Sequence, residues 1–117
     1  MQKKPFKVVQ HEKDKPILKE VKGYFTWIND IRVFIYFETH WREWYVIDLD
    51  TGFSFADGKS LYAAKEDGFN KLNKFKKQKT TEDYKKCRFL YQKLLNEEKK
   101  GAENESKWYK IWRYSYI

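Results

Sequence analysis

Residues 44–75 contain, in order, the sequence signals of a strand, a tight turn, a second strand and a capped helix. Side chains of two kinds alternate along 44–49, which is the period-2 pattern of a strand with two distinct faces. The sequence DTG at 50–52 supplies turn chemistry, because glycine adopts positive φ at little cost. The alternation resumes at Phe53 and Phe55. A β-hairpin is therefore predicted here.

An amphipathic helix is predicted directly after the hairpin. Ser60 is suited to cap it, since a serine oxygen can accept a hydrogen bond from a free backbone N–H of the first turn. Small or apolar residues then recur at helical spacing, at Leu61, Ala64, Gly68, Leu72 and Phe75. The small residues Ala64 and Gly68 predict that this helix lies close to the sheet.

Further strands are predicted on the N-terminal side of the hairpin. Residues 24–28 and 31–38 are rich in β-branched and aromatic residues, and the Asn-Asp pair between them suits a two-residue loop. Weaker strand patterns occur at 6–10 and at 17–22, where Gly23 is expected to end the strand. The strand at 31–38 is apolar on both faces, so it is either covered on both sides or presents an aromatic surface to a partner.

A second helix is predicted after a polar connector at 76–80. Thr81 or Thr80 can cap it, and two acidic residues in its first turn suit the helix dipole. Its buried stripe should consist of Tyr84, Cys87, Leu90 or Tyr91, and Leu94 with Leu95.

The C-terminal segment is expected to be separate from this helix. Gly101 is predicted to end the second helix within a mobile link at 97–105. Residues 106–117 then fit a short helix, with a strand as the alternative. Because exposed tryptophans forfeit burial energy, we expect Trp108 and Trp112 to dock on the sheet, on the helices or on another chain.

The net charge of +8 is concentrated in one segment. Residues 71–93 carry nine basic and two acidic residues, whereas 23–70 carry four basic and eight acidic residues. Such clustering is typical of a surface that contacts polyanions, although single lysines commonly just solvate a helix. The candidate nucleic-acid or partner-binding residues are Lys71, Lys74, Lys76, Lys77, Lys79, Lys85, Lys86, Arg88, Phe89 and Lys93.

Two aromatic residues stand beside cations at positions predicted to be exposed. Phe89 lies among cations on the outer side of the second helix, where it stacks on a nucleobase, fills a partner's pocket or is covered by the C-terminal segment. Trp41 and Arg42 lie in the turn at 39–43. They form a protein or base contact there, or Trp41 folds back onto the sheet edge.

Composition predicts a single α+β domain over residues 1–117. Although 36% of the residues are charged and the mean hydropathy is −0.94, 20% are aromatic, which favours a folded chain over a disordered one. No apolar run is long enough to span a bilayer, and the N-terminus lacks a secretory signal pattern. The single cysteine, Cys87, fits a reducing compartment, so we expect a cytoplasmic protein.

Signals of catalysis are weak. His11, His40 and Cys87 do not stand in a metal-ligand spacing, and a buried, inert Cys87 is favoured over a nucleophilic pair with His40. The strand acids Glu38, Glu43, Asp48 and Asp50 are more typical of a solvated sheet than of an acid/base pair or a magnesium site. We therefore predict no catalytic residue, no metal and no cofactor.

The segments WYVIDLDTGFSF and GKSLYAAKEDGFNKL resemble small accessory proteins of bacteriophages and mobile elements. The resemblance covers about a third of the chain and assigns no catalytic residue. It implies a role in DNA transactions or in inhibition of host defences, including anti-CRISPR-like inhibition. Many such inhibitors are acidic mimics of nucleic acid, whereas this chain is basic, so it implies contact with guide RNA, target DNA or an acidic surface of the effector.

The sequence thus predicts an antiparallel meander of four or five strands, two main helices on one face and an aromatic C-terminal segment. The leading functional hypothesis is a non-enzymatic protein that binds nucleic acid or a nucleoprotein effector, such as a CRISPR nuclease complex, through its basic helical surface. The alternative is a protein–protein inhibitor or adaptor that uses exposed aromatic surface at Trp41, Arg42, Trp108 and Trp112. A small metal-dependent hydrolase or nuclease using Asp48 or Asp50 ranks last, and the oligomeric state stays open.

Overall fold

The computed structural model describes the backbone of residues 2–115 and the side chains of residues 2–99. The described chain is an α+β fold in which a five-stranded antiparallel sheet, with strands paired in chain order, precedes two helices. This architecture confirms the predicted fold class. The elements are β1 (Lys4–Glu12), β2 (Lys15–Ile28), β3 (Ile31–Glu38), β4 (Glu43–Asp48), β5 (Ser54–Gly58), α1 (Leu61–Gln78) and α2 (Glu82–Ser115).

Strand β2 is continuous, so the predicted strand end at Gly23 is wrong. Residues 15–23 pair with β1 and residues 24–28 pair with β3, which means that β2 changes partners at Gly23. The glycine is needed for close approach: a Cβ here would clash with the carbonyl oxygen of Ile35 and lie 2.8 Å from the Cβ of Tyr36. Gly23 therefore allows β3 to pack against the strand where the pairing changes.

One face of the sheet is covered by α1. The helix begins at the predicted cap, where Ser60 Oγ accepts a hydrogen bond of 3.0 Å from the Ala63 N–H. At Gly68 an added Cβ would lie 2.6 Å from Ile28 Cδ1, which confirms the predicted close approach. The core on this face consists of Ile28, Val33, Ile35, Val46, Ala56, Ala64 and Leu72.

The opposite face is covered by the β1–β2 hairpin. Val8 of this hairpin is fully buried against the second core, and the Val9 N–H donates a 2.9 Å hydrogen bond to the carbonyl of Gly52 in the β4–β5 turn. Both faces of the central strands are thus covered. Of the two alternatives for the strand at 31–38, cover on both sides is therefore the one observed. The second core consists of Val8, Phe34, Tyr36 and Ile47, with Phe6, Val21, Phe25, Tyr45 and Leu49 around it.

Helix α2 packs against the sheet through tyrosines of its predicted buried stripe. Thr81 caps it, as its Oγ1 accepts from the Tyr84 N–H at 3.2 Å. The Tyr91 ring lies 6.5 Å from the Phe6 ring, and its hydroxyl donates to the Lys7 carbonyl at 2.6 Å. The helix is thereby joined to β1.

The predicted end of α2 at Gly101 is wrong, because the helix continues to Ser115. A glycine inside a helix costs about 1 kcal/mol relative to alanine, and the surrounding Glu, Lys and Ala residues are strong helix formers. Residues 97–105 are therefore helical, and 106–115 form helix instead of the alternative strand. The side chains of Trp108 and Trp112 lie outside the described residues. Neither helix, over the described residues, is long and apolar enough to cross a membrane.

Substituting Gly23 by alanine tests the close approach of β2 and β3. We expect Gly23→Ala to destabilise the fold by about 1–3 kcal/mol, because backbone atoms of β3 must shift to admit the methyl group. The free energy of unfolding in urea measures this effect, with Lys22→Ala at the exposed neighbour as the control. A change within about 0.5 kcal/mol of wild type would show that the site is not tightly packed.

A second prediction concerns alkaline pH. Burial raises the pKa of both Tyr36 and Tyr91 to about 12, from the ordinary 10.0. The unfolded chain therefore loses these protons first, so stability is intact below pH 10 and falls between about pH 10 and 12. Tyr91→Phe should lower stability at pH 7 by about 1 kcal/mol and make this alkaline decline shallower by up to about 1.4 kcal/mol per pH unit.

Urea unfolding at several pH values measures both effects of this tyrosine. Tyr62→Phe is the matched control, because Tyr62 is exposed on α1. A decline in Tyr91→Phe as steep as in wild type would mean that Tyr91 ionises equally in the folded and unfolded chain.

Candidate nucleic-acid interface

A buried carboxylate at the end of β4 helps to orient α2. Asp48 is only 4% exposed, and its Oδ2 accepts from the hydroxyls of Thr51 at 2.9 Å and Tyr84 at 2.7 Å. Burial and the hydrogen bond to Asp48 both raise the pKa of the Tyr84 hydroxyl, so it remains a donor at neutral pH. This contact helps determine which side of α2 points to solvent.

The outward side of α2 carries an aromatic ring among lysines. Phe89 is 72% exposed. Residues three and four positions apart are neighbours on a helix, so Lys85 and Lys86 flank Phe89 on one side and Gln92 and Lys93 flank it on the other. All four flanking residues are exposed. We call these five residues the basic face of α2.

Two lysines of α1 form ion pairs within the chain. Lys71 pairs with Asp67 at 2.9 Å on the same helix. Lys76 pairs with an oxygen of Asp30 in the β2–β3 turn at 2.9 Å. Two lysines of α1 are therefore balanced within the chain, at exposed pairs that contribute little to stability.

The other cations of residues 71–93 likewise include both paired and unpaired side chains. Lys79 lies 4.0 Å from Asp50 and 5.4 Å from the centre of the Phe75 ring, and Lys85 lies 3.3 Å from Glu82 one turn away. Among the described side chains, five of the nine cations of residues 71–93 take part in no salt bridge. They are Lys74, Lys77, Lys86, Arg88 and Lys93, all exposed.

The alternative site residues Trp41 and Arg42 lie in the turn between β3 and β4, on a different element from the basic face of α2. Trp41 is 64% exposed and does not fold back onto the sheet edge. Its ring contacts His40 edge to face, with centroids 4.6 Å apart. Arg42 adopts a positive φ of 53°, which turns the chain back into β4.

The residues considered for catalysis do not converge. Within the described part of the chain, no group of three or more His, Cys, Asp or Glu residues is placed to hold a metal ion. Asp48 is occupied by hydroxyl donors, whereas Asp50 is exposed in the β4–β5 turn. Cys87 is half-buried on the inner side of α2.

Comparisons with protein-family models, curated proteins and solved structures give no match to this chain. The resemblance to phage accessory proteins therefore remains a prediction from the sequence patterns.

The expectation that the strand acids lie on a solvated sheet is wrong for Glu38 and Asp48, both of which are buried. Glu38 is buried at the end of β3 and accepts a 2.9 Å hydrogen bond from Gln10 Nε2 on β1. The alternation along 31–38 does place Glu38 on the same face as Phe34 and Tyr36. That pattern was the available signal of a buried carboxylate.

A stability measurement tests whether Asp48 anchors α2. Asp48→Ala should destabilise the fold by about 2–3 kcal/mol, because the buried hydroxyl of Thr51 and the half-buried hydroxyl of Tyr84 both lose their acceptor. Asp50→Ala, in the same turn but exposed, should change stability by less than about 0.5 kcal/mol. Urea unfolding of both variants measures the difference, and equal effects would contradict the anchoring role.

Proposed function

We propose that this protein is a non-enzymatic nucleic-acid-binding protein whose contact surface is the basic face of α2. The observation that supports this most is the exposure of Phe89 in the middle of three lysines. An aromatic residue costs free energy when it stays in water, so its exposure at this position favours a contact surface over simple solvation of a helix.

The chemistry of the basic face suits a single strand. Lysine ammonium groups attract phosphates, and an exposed aromatic ring stacks on an unpaired base, which contributes about 1–3 kcal/mol per base. A base inside a duplex does not offer its face for such stacking. We therefore propose that single-stranded DNA or RNA is preferred to a duplex, with Lys86 and Lys93 contacting phosphates on either side of the base held by Phe89.

The nucleic acid is proposed to be free or part of a nucleoprotein effector. The resemblance to phage accessory proteins favours an anti-defence role, in which the basic face contacts guide RNA or an exposed DNA strand in a complex such as a CRISPR nuclease. We place this activity in the cytoplasm, where such complexes act and where a lone thiol such as Cys87 stays reduced.

A second candidate function is protein–protein inhibition through the β3–β4 turn. The observation that favours it is the exposure of Trp41 beside Arg42, since both residue types are frequent at binding hot spots. In that case Trp41→Ala abolishes capture of a partner protein, whereas charge reversal at Lys85 and Lys86 has little effect. The two functions therefore differ in the variants that disrupt them.

The salt dependence of oligonucleotide binding tests the proposal. Fluorescence anisotropy with a labelled single strand should give a logarithm of affinity that falls linearly with the logarithm of salt concentration. Replacing Lys85, Lys86 and Lys93 together by alanine should reduce the magnitude of that slope by about 1.4, since Lys86 and Lys93 each lose a phosphate contact that contributes about 0.7. Phe89→Ala should weaken binding roughly 5- to 150-fold with little change of slope.

The matched control replaces three exposed lysines on the N-terminal side of the chain, Lys3, Lys4 and Lys22, by alanine. This variant has the same net charge as the α2 triple variant, so a non-specific charge effect would weaken both equally. Equal loss of binding in the two triple variants, or affinity that does not change with salt, would overturn the proposal.

A further inference from the structure

A cleft of about 870 Å³ opens between the β1–β2 hairpin and the β3–β4 turn, on the side of the sheet opposite α1. Residues from all five strands line it. The volume lies within the range of ligand-binding clefts, about 300–1,000 Å³. Among the side chains that the structure describes, none from α2, its basic face included, contributes to the lining.

The cleft contains the buried carboxylate of Glu38, which is only 7% exposed. Its Oε2 accepts from Gln10 Nε2 at 2.9 Å and from the Tyr36 hydroxyl at 3.4 Å, and its Oε1 accepts from the His40 backbone N–H at 3.3 Å. Gln10 Nε2 also donates to the Tyr36 hydroxyl at 3.2 Å. These contacts orient the carboxylate across β1 and β3.

Every donor in this network is neutral. Burial raises the pKa of Tyr36 to about 12, so its hydroxyl stays protonated at neutral pH. Among the described side chains, no lysine, arginine or histidine forms a salt bridge with Glu38. A buried carboxylate without a cationic partner is unfavourable, and a cation brought into the cleft would compensate its charge.

The walls of the cleft specify the shape of that cation. Trp41 and Tyr45 are both in the lining, and a flat cation can stack against such rings. A guanidinium group is flat, donates two parallel hydrogen bonds to a carboxylate and is more weakly hydrated than an ammonium. The ionisable lining includes two carboxylates, Glu12 and Glu38, one lysine, Lys19, and the imidazoles of His11 and His40, and the buried carboxylate of Glu38 disfavours a phosphate.

We propose that this cleft binds an arginine side chain of a partner polypeptide, with the guanidinium on Glu38 and against Trp41. The carboxylate supplies the charge and the paired acceptors, and the indole supplies the stacking surface. The cleft and the basic face of α2 are separate surfaces. The proposal for the cleft therefore still stands if the protein does not bind nucleic acid.

The test is an NMR titration of the full-length protein with N-acetyl-arginine amide. The backbone amide of His40 and the indole N–H of Trp41 report on the cleft. We expect saturable shifts of both signals, and none with the corresponding citrulline derivative, which is flat but uncharged. Guanosine serves as the third probe, because it offers a flat donor edge without a phosphate.

Two variants locate the site. Glu38→Gln should weaken arginine binding roughly tenfold or more, and Trp41→Ala roughly 2- to 30-fold. Trp27→Ala is the matched control, since Trp27 is an exposed tryptophan that does not line the cleft. Trp41 is exposed in a turn, so we expect Trp41→Ala to fold. This variant therefore still tests the site if Glu38→Gln does not fold.

Three results would overturn the assignment. Equal shifts with citrulline would show that charge is not recognised, and shifts with guanosine but not with arginine would make the cleft a base-binding site. Unchanged arginine affinity in Trp41→Ala would place the cation elsewhere.

Discussion

The hydrogen bonds to the buried carboxylate of Asp48 join α2 to the β4–β5 turn. This one side chain ends β4, stabilises the β4–β5 turn through Thr51 and receives the hydroxyl of Tyr84 from α2. Within the β4–β5 turn, the carbonyl of Gly52 accepts a hydrogen bond from the Val9 N–H of the β1–β2 hairpin. A buried carboxylate with unmet hydrogen bonds is strongly destabilising, so the arrangement of turn, hairpin and helix is interdependent.

That arrangement explains why the two sides of the sheet differ. Helix α1 covers one face through small residues, Ala64 and Gly68, that permit close approach. The β1–β2 hairpin covers the other face, where aromatic rings such as Phe34 fill the core and a cleft remains beside Glu38. The basic face of α2 and this cleft are therefore chemically distinct surfaces: one is cationic with an exposed ring, and the other contains a carboxylate between aromatic walls.

Local signals were sufficient to predict much of the fold. The DTG turn at 50–52, the Ser60 cap and the alternation in 31–38 each depend on neighbours in sequence, and each is found in the structure. The element ends predicted at Gly23 and Gly101 are wrong, because both glycines lie inside longer elements. Whether a glycine ends an element or allows close packing depends on atoms from other elements, such as the carbonyl of Ile35, which a local pattern does not contain.

The candidate site was predictable to a similar extent. The charge cluster and the outward position of Phe89 follow from composition and helical periodicity. The pairing of Lys76 with Asp30 does not, because it joins residues 46 positions apart. Ion pairs within the chain therefore engage some of the cations that the sequence pattern counts, and the proposal of a contact surface on α2 stays a prediction. The burial of Glu38 likewise depends on Gln10 of β1, which only the hairpin brings to β3.

Photo-cross-linking to a single-stranded oligonucleotide carrying 5-bromouracil tests the central claim most directly, because it reports which residue contacts a base. Trypsin cleaves after Arg88 and Lys93, so Phe89 falls in the peptide 89–93, where its only aromatic companion, Tyr91, is buried. We expect the cross-linked nucleotide to be recovered on this peptide and to be lost in Phe89→Ala. Recovery on the peptide that contains Trp41, with none on 89–93, would contradict it.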